Sequence, residues 1–179
     1  FLMIMTVEEF RSYVDTDKTD AVLSAKLAAL ELLIRKYTNN NFQHRGFRCA
    51  ADISGSIFSA EALQPFDVGD TIQVTESQLN AGLYTVTAAT DTTFEVEVSD
   101  ALRDENDVLV TKVVYPIDVK MGVANMLEWD LNNRSKVGIQ SETISRHSVT
   151  YFSMDGDNAS MGYPKSLTGF LKPYMKARF

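Results

Sequence analysis

Between Gly55 and Tyr115 apolar residues recur at every second position, whereas on either side they recur every three or four. A period of two places alternate side chains on one face of a strand, and a period near 3.6 places them on one face of a helix. A chain that switches period twice has to fold its middle as sheet and its flanks as helix. The alternation runs through Thr71–Glu76, Tyr84–Ala88, Phe94–Val98 and, more apolar throughout, Val108–Tyr115. Turn-forming clusters separate these runs at Val68–Asp70, Asn80–Gly82, Asp91–Thr93 and Asp104–Asp107. Four or five short strands with one half-buried face make a small antiparallel sheet or a barrel, and closure would remove its exposed edges.

The flanking helices have their own punctuation. Thr6 and Glu9 match a capping box ahead of a short helix to about Val14. The clearest helix spans about Asp20 to Tyr37, with Val22, Leu23, Leu27, Leu30, Leu33, Ile34 and Tyr37 along one face and Asn39–Asn41 as its stop. Pro116 suits the first turn of another, with Ile117, Val119, Val123, Met126, Leu127 and Leu131 as its stripe and Trp129 beside them. The expectation is an α+β chain. A small helical bundle frame (1–48 and 115–137) is interrupted by an acidic β insert (49–114), an antiparallel sheet or small barrel. An extended C-terminal arm (138–179) ends in a short helix. That helix starts at Pro164, carries Leu167, Phe170, Leu171 and Tyr174 as a narrow stripe, and meets a break at Pro173.

Charge follows the same division. Residues 50–114 hold twelve acidic side chains against Arg103 and Lys112, a net of −10, and everything outside holds twelve acidic and fifteen basic, a net of +3. From Asn158 onward there are four Lys/Arg and no Asp or Glu, in a chain of formal charge −7. A basic, helix-tipped end on an acidic chain points towards a partner. The acidic total argues against a general nucleic-acid binder, which needs a basic face.

The 179 residues suffice for one domain, or one domain with an insert. A single cysteine, Cys49, excludes an internal disulfide framework and a multi-cysteine metal site, and it fits a reducing compartment. Phe1–Met5 is apolar but too short and too lacking in basic flank for a signal peptide, so we read it as a packing strand or frayed end. No later run approaches the length of a membrane span.

Candidate chemistry is sparse. His147 lies near Ser141, Glu142, Ser145 and Arg146, but no nucleophile elbow or other catalytic frame surrounds it, so a solvated or interface histidine is the better reading. Asp155–Asn158 resembles part of a calcium loop, yet the glycine at the sixth position and the closing carboxylate are missing. Glu95 and Glu97 share a strand face, where solvation is the ordinary role of Glu. Cys49 reads as a small packed side chain, although Arg48 adjoins it. No glycine-rich phosphate loop follows a strand. The residues therefore argue for a non-enzyme with no cofactor and no metal.

Three places together resemble one known family. They are Met5–Arg11 (MTVEEFR) with the Leu-rich helix and Tyr37–Phe42 (YTNNNF), the Tyr115–Pro116 helix start, and the closing stretch. The last includes Ser141–Tyr151 (SETISRHSVTY), Gly162–Pro164 and Phe170–Tyr174 (FLKPY). In these the chain is similar to the head–tail connector (adaptor) proteins of tailed bacteriophages, over about two thirds of its length. The acidic insert is a departure, because many members have a short loop there. The runs Val68–Val74 and Gly82–Val86 resemble small β modules of other phage structural proteins.

The resemblance implies a virion structural protein of the phage neck, assembled in the host cytoplasm. It implies a homo-oligomeric ring, commonly of twelve subunits, docked on the portal protein and followed by a tail-side connector or stopper. DNA would pass through its channel without sequence-specific binding, and no membrane is involved. It points to Tyr163, Pro164, Leu167, Phe170, Leu171, Tyr174 and Met175 as the segment that meets the portal or a neighbouring subunit, with Ile144, Arg146, Val149 and Tyr151 along the arm. On that reading Leu167, Phe170, Leu171 and Tyr174 are anchors, exposed in the free subunit and buried in the ring. The competing reading is a binding module whose β insert recognises a protein or a glycan.

Overall fold

The computed structural model describes residues 4–134, 141–144, 147–150 and 158–177. The chain divides into two compact units, one from Asn41 to Tyr115 and one from Ile4–Asn40 with the residues from Pro116 onward.

The first unit is a closed barrel of six antiparallel strands: β1 (Gln43–Ser54), β2 (Ile57–Ala60), β3 (Thr71–Thr75), β4 (Gly82–Ala89), β5 (Thr93–Val96) and β6 (Glu105–Val113). Their order is β1-β2-β5-β4-β3-β6, and β1 closes the circle by pairing with both β2 and β6. Alternation explains the core. Ile53, Phe58, Ile72, Val74, Val86, Phe94, Val96, Val108 and Val110 all point inward and are buried. Phe58 stacks on Phe94 with ring centroids 4.8 Å apart, and Phe66 meets Phe94 edge-on at 5.1 Å. Gly55, at φ 62°, turns β1 into β2 in a conformation that a Cβ would strain. This unit carries twelve acidic side chains and four basic ones, a formal −8.

The second unit contains helices α1 (Val7–Tyr13), α2 (Asp20–Thr38), α3 (Ile117–Asn133) and α4 (Lys165–Thr168), the last continued by a 3-10 helix, Gly169–Tyr174. Thr6 caps α1, its Oγ1 accepting from the Glu9 amide at 3.0 Å. Asn39 ends α2 in the left-handed region (φ 49°). Leu23, Leu27, Leu30 and Ile34 of α2, and Val119, Val123, Met126 and Leu127 of α3, are buried. Ile4 and Met5 are buried as well, in a bend rather than a strand. Among the described residues no helix is long and apolar enough to cross a membrane.

A helical bundle frame is not evident, and that expectation is corrected. Only α2 and α3 have the length that bundle packing needs; α1 has seven residues and α4 four. The fold is instead four helices together with a closed six-stranded barrel. The expected extended arm is corrected too. Two short strands, β7 (Ser141–Ile144) and β8 (His147–Thr150), pair with each other, and β9 (Ala159–Ser160) pairs with β10 (Tyr163–Pro164). The chain beyond Asn158 then packs on α2 and α3.

Candidate functional site

Helix α3 positions the terminal segment through one small residue. At Gly122 an added Cβ would lie 2.5 Å from Cε2 of Phe170 and closer still to its Cζ and Cε1. The missing side chain is therefore the seat of the Phe170 ring. One residue on, Leu171 has no exposed surface. Further along, the Tyr174 hydroxyl donates to both carboxylate oxygens of Asp118 at 2.8 Å, and this hydrogen bond raises the tyrosine pKa.

The end of α2 holds the same segment from the other side. Orphan carbonyls at a helix C-terminus need donors, and the Lys176 amide supplies one to Thr38 at 2.8 Å. The Asn39 and Asn40 side-chain amides donate to the carbonyls of Ala177 (2.8 Å) and Tyr174 (3.0 Å).

A polar cluster secures the start of the segment. Asp130 of α3 accepts from Lys26 of α2 and, at 2.5 Å, from Arg134 one turn on. Burial alone would raise the Asp130 pKa, but the Lys26 and Arg134 hydrogen bonds and charges outweigh it and hold the carboxyl below its ordinary value. Arg134 lies over two neighbouring rings, 5.2 Å from Trp129 and 4.7 Å from Tyr163, and its Nη1 donates to the Gly162 carbonyl at 2.8 Å. Burial, followed by the negative charge of Asp130, raises the Tyr163 pKa. A recess of about 240 Å³ opens beside this cluster, between Lys26, Leu30, Leu33, Leu127, Asp130 and Tyr163.

The residues singled out from sequence thus fall into three groups. Tyr163, Pro164 and Leu171 are buried, and Leu167, Phe170 and Tyr174 are half-buried, all against their own chain. The expected exposure of the anchors Leu167, Phe170, Leu171 and Tyr174 in the free subunit is therefore corrected, whereas Met175 is exposed, at 51 %. Ile144 and Val149 lie on β7 and β8, where Ile144 pairs with His147 and Glu142 with Val149. Arg146, Tyr151, Ser145 and Asp155–Asp157 lie outside the described residues. Elsewhere, Glu95 and Glu97 are exposed, and burial pushes the Cys49 thiol up to about 11, away from a reactive thiolate.

Sequence reasoning passed over Gly122, Asp118 and the Lys26–Asp130–Arg134 cluster. A glycine inside a helical pattern and an Asp–Arg pair four residues apart were the available signals. No protein-family model matches this chain, and no curated protein matches it in sequence.

Proposed function

We propose that the chain is a structural protein of the phage neck, forming a ring that docks on the portal, extends the DNA channel and joins head to tail. The observation that carries this reading is the β7–β8 hairpin, which forms a two-stranded sheet of its own. A lone hairpin is marginally stable in water and gains from another surface. It lies in the stretch that, by the resemblance, reaches a neighbouring molecule.

The base of that stretch suits such a task. Arg134, before the hairpin in sequence, donates to the carbonyl of Gly162 after it, so these two flanking residues meet. This revises the division of labour within the arm. The segment from Tyr163 to Tyr174 is the anchor, and the hairpin is the element that reaches out. Repetition around a ring turns weak single contacts into a firm assembly through effective concentration.

Native mass measurement tests the proposal, with the chain alone and mixed with the portal protein encoded by the same genome. The expected result is a ring-sized species that joins the portal. A strict monomer with no affinity for that portal refutes it.

A further inference from the structure

The barrel carries a cationic finger where its strand pairing breaks, residues 44–47 leaving the ladder and Arg48 resuming it. Gln43 pairs with Val113 and Arg48 with Thr111, so residues 44–47 of β1 stand opposite Lys112 alone. Bulges of this kind re-aim side chains at the rim of a barrel. His44, Arg45, Phe47 and Arg48 are all exposed, with Phe47 at 43 %. The Phe47 ring meets His44 edge-on at 4.7 Å, and the Lys112 ammonium, paired with Asp70 at 2.6 Å, lies 5.6 Å from the same ring. Among the described residues the side chains of Arg45 and Arg48 enter no hydrogen bond or ion pair. Two uncompensated guanidinium groups beside an aromatic ring stand out on a unit of formal charge −8.

The complement lies across the same barrel, on the side opposite β1. Tyr84 and Leu83 at the start of β4, with Val98 and Leu102 beyond β5, wall an open recess of about 500 Å³ that also presents Glu97 and Asp100. The strand order fixes its position. In the closed circle β1-β2-β5-β4-β3-β6, β4 stands three strands from β1 in either direction. Finger and recess therefore lie on opposite sides of one barrel.

We infer that the finger of one copy, Arg45, Phe47 and Arg48, enters the Glu97–Asp100 recess of a second copy, so that unlike sides of two barrels meet. The recess offers apolar walls for the ring and two carboxylates for the guanidinium groups. Arginine forks suit such carboxylates, and aromatic and arginine side chains are the common anchors of interfaces. A contact between unlike surfaces of identical chains is heterologous, and it closes into a ring when the rotation allows. A nucleic-acid strand is the less favoured occupant, because the rest of the barrel repels a polyanion. This inference rests on the ring reading proposed above and names one interface within it.

Charge reversal tests it on the full-length chain by sedimentation velocity over a wide concentration range. The pair R45E and R48E, or the pair E97K and D100K, is expected to weaken self-association about tenfold or more, since each replaces attraction with repulsion. Mixing the two double variants restores association, and so does combining all four changes in one chain. R45Q with R48Q, and E97Q with D100N, keep the test open if a reversed variant misfolds, as judged by circular dichroism. A wild-type chain that stays monomeric overturns the inference. Association indifferent to every one of these changes also overturns it, as does a wild type that binds duplex DNA through Arg45 and Arg48 without self-associating. A chain that binds the portal yet ignores these substitutions refutes the interface and leaves the neck reading standing. Association through finger and recess without portal affinity does the reverse.

Discussion

Replacing Gly122 by alanine asks, through the sign of one number, whether the terminal segment is docked in solution. Alanine inside a helix is about 1 kcal/mol more favourable than glycine. If the segment after Asn158 were a free arm, G122A would therefore stabilise α3 by about that amount. In the docked structure the new methyl occupies the space of the Phe170 ring. Overpacking of this kind costs about 1–3 kcal/mol, so the net effect is a loss of up to about 2 kcal/mol. Removing the ring reverses the outcome: in an F170A background G122A gains about 1 kcal/mol, and the two sites couple by about 1–3 kcal/mol. Urea unfolding followed by Trp129 fluorescence reads the right unit, since Trp129 is the chain's one tryptophan, lies on α3, and sits 5.6 Å from the Tyr163 ring. A G122A variant that gains stability whether or not Phe170 is present refutes the docked segment.

Three further outcomes follow from the same geometry. Leu171→Ala, at a fully buried position, lowers the stability of the helical unit by about 2–5 kcal/mol in the same fluorescence assay. Asp130 has a folded-state pKa below its unfolded value, so its contribution is present above about pH 4 and is lost as pH falls through the folded pKa. The stability gap between wild type and Asp130→Asn, from urea melts, accordingly narrows as the solution is acidified; a gap constant with pH contradicts the arrangement. With its pKa near 11 rather than 9.0, Cys49 has about a hundredfold less thiolate at pH 8, and disulfide-reagent labelling of the native chain is slower than of the unfolded chain by about that factor.

The barrel strands were legible where burial is one-sided. At Ile72 and Val74, or Phe94 and Val96, the alternation in sequence is the alternation between core and solvent. Strand β1 was not, because residues 44–47 leave the ladder and break the period just where the strand begins. The long helices announced themselves through their stripes, although Val22 and Ile117, counted in those stripes, are exposed at 41 % and 65 %. The stripe of Leu167, Phe170, Leu171 and Tyr174 was legible as a stripe, but its exposure in the free subunit was misread. What covers it, Gly122 and its neighbours on α3, lies some fifty residues away in sequence, and no local pattern specifies such a contact.

That covering bears on how the chain can meet a partner. Apolar area already buried against α3 cannot also supply binding energy elsewhere unless the segment first leaves its seat. For Leu171 alone the cost of leaving is about 2–5 kcal/mol, and the Phe170 ring and the Tyr174–Asp118 hydrogen bonds add to it. A partner that took the segment would see its affinity reduced by the fraction of molecules in which the segment is already free. Among the described residues the β7–β8 hairpin pairs with no further strand, so it has no larger sheet to leave. An assembly that adds subunits one contact at a time gains most from elements that are presented without prior unfolding. On the neck reading proposed above, contact with another molecule would therefore begin at the hairpin and not at the terminal helix.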